Sequence, residues 1–380
     1  MKTARSVLLL LFFLPTLLNS PLVRAADSAV VVEARQAQRD EAAKIDWYDA
    51  RAIGLEGQAF TDVKAPYDRL PARAEGKVRD AVWSLSRNSA GLCVRFRTSS
   101  PAIHCRWTNT SPRLAMPHMP ATGVSGVDLY VRDDKGTWRW LSIGQPREGT
   151  SHTAALVTGL SPSERDYCLY LPLYNGVSAV EIGVSPDSKV SRLVRDEDHQ
   201  RPIVFYGTSI TQGGCASRPG MVHTAILGRR LDRPVINLGF SGNGKMEAEV
   251  TSCLVDIQAA VYVIDCLPNM TAAEVTSNTA PLVAQLRKAH PATPIVLAED
   301  RTYSDAFLKK DRAERTETSR AALKKIFAQL QLQDKNLHYL AGENQLGADG
   351  EDTVDGSHPT DLGFLRMADE FSKVLGPLVK

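Results

Sequence analysis

Three side chains in this 380-residue chain have the types that acyl transfer requires. Ser209 stands in Phe-Tyr-Gly-Thr-Ser-Ile-Thr-Gln-Gly-Gly (205–214), directly after the apolar run Pro202-Ile203-Val204. Asp355 and His358 lie three residues apart, just before a helical pattern that Pro359 is suited to open. At that separation a carboxylate can accept the Nδ1 proton of the imidazole and leave Nε2 free as a base. A serine hydroxyl needs such a base, because at its own pKa it is a poor nucleophile. Each feature alone has a plainer explanation. Serine is a favoured helix cap, and Asp355–His358 can be a capping turn with a surface histidine.

These residues need a scaffold. From Arg201 onward, the apolar runs Pro-Ile-Val-Phe-Tyr-Gly, Pro-Val-Ile-Asn-Leu-Gly, Ala-Ala-Val-Tyr-Val-Ile-Asp, Thr-Pro-Ile-Val-Leu-Ala-Glu and Asn-Leu-His-Tyr-Leu-Ala follow one another. Helical patterns near 219–231, 245–256, 271–290, 303–333 and 360–378 separate or follow them. Five buried strands alternating with helices predict a parallel sheet covered on both faces. Ligands bind such sheets beyond the carboxyl ends of the strands. That rule gathers Gly-Thr-Ser-Ile-Thr, Gly-Phe-Ser-Gly-Asn-Gly and Asp-Cys-Leu-Pro-Asn on one rim. The backbone N–H groups of Ser209 and Gly242 and the side-chain amide of Asn269 are then candidate oxyanion donors. Thr211 replaces the second glycine of the G-x-S-x-G elbow, which disfavours an ordinary α/β-hydrolase. Gly239 to Lys245 fits the G-x-x-x-x-G-K part of a phosphate-binding loop, the alternative of a nucleotide-binding protein. Met246 stands where that motif needs a magnesium-ligating Ser or Thr.

The first half of the chain has a different grammar. Residues 1–25 read as a secretory signal: Lys2 and Arg5, an apolar stretch from Val7 to Leu18, and Val-Arg-Ala ending at Ala25. The apolar stretch is short of the ~20 residues a spanning helix needs. Residues 26–45 are polar and Ala-rich and read as a linker or loose helix. Residues 46–195 read as a β-sandwich, with Ala-Val-Trp-Ser-Leu-Ser-Arg (81–87) taken as one of many short strands. All five tryptophans lie there, and core packing is their default role. The six cysteines read mainly as buried small hydrophobes. Cys93 and Cys105 flank a turn at Ser99-Ser100 and could face each other across a hairpin. A balance of 45 basic against 43 acidic residues gives no nucleic-acid footprint.

Four blocks resemble those of a known family. Gly207-Thr208-Ser209-Ile210 is similar to the GDSL block, Gly242 falls in the glycine block, Asn269 in the asparagine block, and Asp355-Gly-Ser-His358 in the Asp-x-x-His block. Together they resemble the SGNH hydrolases, or GDSL-type esterases, over 196–380. Thr208 replaces the usual aspartate, and Pro268 stands where many members have glycine. Upstream, Gly126-Val-Asp-Leu-Tyr130 resembles the name motif of the GxDLY β-domain that precedes one subgroup. The resemblance implies a three-layer α/β/α domain with a five-stranded parallel sheet, preceded by an antiparallel β-sandwich. It implies a Ser209–His358–Asp355 triad, an acyl-enzyme, and no metal or cofactor. Exported members commonly deacetylate carbohydrates, so the expected substrate is a small molecule or an acetylated oligosaccharide, with no nucleic-acid partner and no membrane span after signal cleavage. The alternatives are a lipid or aryl-ester acylhydrolase and a non-catalytic glycan-binding protein.

Tyr174 and Asn175 are candidate substrate-binding residues if the front domain walls the cleft. His223 reads as a packing or helix-surface residue more readily than a substrate contact. Glu299-Asp300-Arg301 ends the fourth strand at the same rim and reads equally as a substrate contact or a charged network. An oxyanion amide at Asn269 could not carry a glycan, so the sequon Asn269-Met-Thr271 is expected to stay unmodified.

Overall fold

The computed structural model describes residues 27–380, so the expected signal segment lies outside the described residues. Two antiparallel sheets make up the front half. One joins, in order, Ser28–Val31, Val190–Val194, Cys93–Thr98, Arg165–Tyr170, Val127–Arg132 and Trp138–Gly144, with Leu55–Glu56 added onto Cys93–Thr98. The other joins Ala37–Asp40, Ile45–Asp49, Val177–Val184, Ile103–Asn109 and Ser151–Val157. Ile103–Asn109 shows why they stack: Ile103, Cys105, Trp107 and Asn109 are buried, and the residues between them are half-exposed. The shared core includes Phe96 stacked on Tyr167 at 5.3 Å, and Trp107, whose Nε1 donates to the Ser125 carbonyl at 2.9 Å.

Two expectations and one alternative are corrected here. The expected linker at 26–45 instead supplies strands Ser28–Val31 and Ala37–Asp40, one at the edge of each sheet. Ser28–Val31 is exposed throughout, so backbone pairing with Val190–Val194 holds it and no hydrophobic pattern marks it. The expected strand at 81–87 is part of a helix, Asp80–Ser86, which buries Val82 and Ser86 four residues apart. Cys93 and Cys105 lie in different sheets, not across one hairpin, and all six cysteines are free and buried.

The second half carries the parallel sheet, in the order Val235–Gly239, Ile203–Gly207, Val261–Asp265, Ile295–Ala298, Leu337–Leu340. Helices His223–Leu231 and Asp361–Leu378 cover one face, packing on Ile203, Phe205 and Val263. Ala248–Leu254, Ala272–Ala289 and Lys310–Leu330 cover the other, packing on Val204, Tyr206 and Ile264. This second core also takes in Phe60, Leu70, Ala74, Val78 and Val82 from the front half of the chain. Residues 57–88 therefore leave the sandwich and complete the parallel-sheet half.

The two halves are latched by the Gly126-Val-Asp-Leu-Tyr130 segment. Asp128, fully buried, accepts from the Gly220 N–H at 2.8 Å, from Arg218 at 2.9 Å and from Trp140 Nε1 at 3.0 Å. Tyr130 Oη accepts from Arg218 at 2.5 Å, and Arg229 lies 3.9 Å over the Tyr130 ring. A β-carbon on Gly126 would meet the Thr122 carbonyl at 2.6 Å, so this position requires glycine. Deeper in the interface, Arg95, Arg132 and Arg195 pair with Asp27, Glu56 and Asp232.

Candidate active site

In a 2-1-3-4-5 parallel sheet the strand order reverses beside the first strand, and ligands bind beyond the strand ends at that point. Ile203–Gly207 is that strand, and Ser209 follows it. The helix-capping role open to Ser209 is taken by its neighbour: Thr208 Oγ1 accepts from the Ile210 N–H at 3.3 Å and caps Ser209–Gln212. Ser209 Oγ lies 2.8 Å from His358 Nε2. His358 Nδ1 lies 2.8 Å from Asp355 Oδ2, while Asp355 Oδ1 accepts the backbone N–H groups of Ser357 and His358 at 3.0 and 2.8 Å. Burial opposes ionisation of Asp355, but the His358 N–H, the His358 imidazole and the Ser357 N–H outweigh it and hold its carboxyl at about 2. The carboxylate thus stays charged and orients the imidazole, and Nε2 faces the serine. Such an arrangement can take the proton of a hydroxyl as it attacks a carbonyl. The helix that follows opens at Asp361 with Thr360 as its cap, two residues beyond the position offered by Pro359.

Gly242 and Asn269 sit on the two flanking loops. Gly242 has φ of +70°, the left-handed conformation that glycine adopts without strain, and nothing crowds its Cα. Gly244 lets the same turn press against the first strand, since a β-carbon there would lie 1.9 Å from the Gly207 carbonyl. With the Asn269 amide oriented to suit its neighbours, Oδ1 accepts from the N–H groups of Asn243 and Gly244 at 3.0 and 3.1 Å. Nδ2 is then turned to the other side as a donor. Thr271, the last residue of the sequon, forms a capping box with Glu274 at the start of Ala272–Ala289.

Tyr174 and Asn175 part company. Tyr174 Oη donates to the Ser209 carbonyl at 3.0 Å, so it touches the residue that carries the candidate nucleophile. Asn175 is buried in the front half, where its amide bonds Ser111 and Ser125 and fastens the 111–120 loop. That loop delivers His118, whose ring centroid lies 6.1 Å from that of His358. Sequence reasoning missed His118, which sits in a proline- and methionine-rich loop with no periodic pattern. It also missed Gln212, which accepts from the Ser241 N–H at 3.0 Å and donates to Asn88 at 3.1 Å and to the Leu173 carbonyl at 3.2 Å.

The remaining candidates are structural in their contacts. His223 is fully buried, stacked on Phe364 and flanked by Phe205 and Phe371, and burial pushes its imidazole down to about 3. Glu299, Asp300 and Arg301 form a charged network: Glu299 accepts from the Gly342 N–H at 2.7 Å, and Asp300 pairs with Arg301 and Arg315. In the loop that resembled a phosphate cradle, Lys245 pairs with Glu274 at 3.1 Å. Of the tryptophans, Trp47 and Trp107 pack in the core, whereas Trp140 is 49% exposed and lies beside the Arg218 guanidinium.

Comparison with known proteins places this geometry in context. Residues 200–376 match the model of the GDSL-like lipase/acylhydrolase family, and residues 45–190 match the GxDLY model, the N-terminus of SGNH-hydrolase-type esterases. A GDSL-like lipase from Bacteroides ovatus ATCC 8483 is 35% identical, with a TM-score of 0.82 over 88% of this chain and 98% of that one. The salicylyl-acyltransferase SsfX3 of a tetracycline biosynthetic pathway shares the fold at 20% identity and a TM-score of 0.69, over 93% of this chain and 98% of that one. A family two carbohydrate esterase from Cellvibrio japonicus does so at 13% identity and a TM-score of 0.55, over 93% and 98%. No protein of curated function matches the chain by sequence. The chain therefore belongs to the GDSL-like lipase/acylhydrolase family of SGNH-type esterases, with a GxDLY domain at its N-terminal side.

Proposed function

We propose that this protein is an exported serine esterase that removes O-acetyl groups from carbohydrates. The observation that carries the catalytic part is the pair of 2.8 Å contacts from Ser209 Oγ to His358 Nε2 and from His358 Nδ1 to Asp355. In this reading Ser209 Oγ attacks the ester carbonyl and its proton passes to His358 Nε2. Charge builds on the carbonyl oxygen, toward the N–H groups of Ser209 and Gly242 and the Asn269 amide. Collapse expels the sugar alkoxide, which takes the proton from His358. Water, deprotonated by the same imidazole, then releases acetate and frees Ser209. Export rests on the sequence of residues 1–25. The carbohydrate preference draws support from the fold shared with family two carbohydrate esterases.

The front half takes part in this reading. Tyr174 braces the Ser209 turn, and His118 stands beside His358 where the alcohol portion of the substrate must leave. Acetate release from acetylated oligosaccharides, measured beside hydrolysis of an aryl acetate and a long-chain ester, tests the specificity. The oligosaccharides are expected to give the highest kcat/KM. His118→Ala is expected to lower it severalfold on oligosaccharides and little on the aryl acetate. A preference for the long-chain ester would replace this reading with a lipid acylhydrolase.

A further inference from the structure

The residues immediately before Asn269 and His358 are gripped by two arginines that share one carboxylate. Arg315 Nη2 donates to the Pro268 carbonyl at 2.5 Å. Arg301 Nε donates to the Ser357 carbonyl at 2.9 Å, and its Nη2 donates to Ser357 Oγ at 2.7 Å. Between them Asp300, fully buried, gives Oδ1 to Arg301 at 2.5 Å and Oδ2 to Arg315 at 3.0 Å. The Tyr303 ring lies against both guanidiniums, and its hydroxyl accepts from Arg315 at 3.1 Å.

From this we infer that Arg315–Asp300–Arg301 is a positioning clamp that sets the distance between the oxyanion donor Asn269 and the base His358. The inference rests on the roles given to those two residues above. Its physical logic is geometric. The loops that carry Asn269 and His358 follow different strands and do not share a ladder. Asp300 lies two residues beyond the strand Ile295–Ala298, which sits between Val261–Asp265, the strand before the Asn269 loop, and Leu337–Leu340, the strand before the His358 loop. A planar guanidinium can hold a carboxylate and a carbonyl at once in fixed directions, which an ammonium cannot. None of the three clamp residues needs to touch substrate. Displacement of a donor by a fraction of an ångström weakens the transition state far more than it weakens ground-state binding.

The clamp is tested by double-mutant cycles on aryl-acetate hydrolysis by the full chain. Arg315→Lys keeps the charge next to Asp300 and is the milder change. It is expected to lower kcat on the order of 10-fold with KM nearly unchanged. In an Asn269→Ala background the same change is expected to cost less than about twofold, because the group it positions is gone. Ser357→Ala removes one bond from Arg301. It is expected to behave in the same way towards His358→Ala. Melting temperatures of the single variants serve as the check on folding. Additive losses in the Asn269→Ala background, or losses carried by KM, would reduce the network to general scaffolding and overturn the clamp. Loss of all Ser209 dependence in the wild-type rate would instead overturn the esterase reading, and the clamp with it.

Discussion

Tyr174 Oη donates to the backbone carbonyl of Ser209 at 3.0 Å, so a residue of the front half holds the turn that carries the candidate nucleophile. The same carbonyl also accepts the N–H groups of Gly213 and Gly214 at 2.9 and 2.7 Å. A hydrogen bond of this kind contributes about 1 kcal/mol net. Tyr174→Phe is therefore expected to lower kcat on an aryl acetate roughly fivefold, with KM little changed. Steady-state kinetics check this. A variant within twofold of wild type in kcat would mean that the two glycine amides suffice.

The Asp128 latch makes a stability prediction. Asp128 is fully buried and is the carboxylate partner of Arg218, which is itself mostly enclosed. Removing one member of such a pair strands the other charge and typically costs about 3–5 kcal/mol. Asp128→Ala is expected to lower unfolding free energy by about that amount in chemical denaturation. A loss below about 1 kcal/mol would show that the apolar cluster of Ala225 with Cys93, Tyr130, Cys168 and Tyr170 holds the halves together without it.

Asp265 predicts a pH dependence. Burial pushes its carboxyl up from 3.8 to about 7, against the Thr211 hydroxyl and the Arg301 charge. An acid whose pKa rises on folding keeps its proton in the folded chain where the unfolded chain has released it. From about pH 4 to 7 the folded state binds more protons, so this group's contribution to stability falls as pH rises and is fully lost above 7. Asp265→Asn cannot ionise but can still accept from Thr211, whose Oγ1 donates to Asp265 at 2.8 Å. The variant's stability relative to wild type is expected to be roughly 2–3 kcal/mol greater at pH 8 than at pH 5. Parallel stability-versus-pH curves for the two proteins would contradict this.

Much of the candidate site could be read from the sequence because its parts are short, local and fixed by backbone geometry. The serine after an apolar strand, the glycine turn and the Asp-x-x-His pair each carry their own signature. The five parallel strands were legible because burial on both faces makes them continuous apolar runs. What escaped depends on long-range packing. Residues 81–87 alternate like a strand, yet Val82 and Ser86 are buried four apart in a helix against the hydrolytic core. Nothing local announces that Phe60 to Val82 complete the other half, so a cut at 195/196 would open that core. Edge strand Ser28–Val31 escaped because its side chains are exposed and only its backbone is paired. His118 and Gln212 escaped because their partners are distant in sequence, and of the charged network open at Asp300-Arg301 only the third member, Arg315 on the following helix, went unmarked.

The central claim is that Ser209 is the nucleophile and His358 its base, and one kinetic comparison addresses it most directly. Hydrolysis of p-nitrophenyl acetate is measured with wild type, Ser209→Ala and His358→Ala at the same enzyme concentration and pH. Nucleophile and base act as one unit, so both variants are expected to lose roughly 10⁴-fold or more in kcat, and to about the same level. A Ser209→Ala protein that hydrolyses the ester at the wild-type rate would contradict the account.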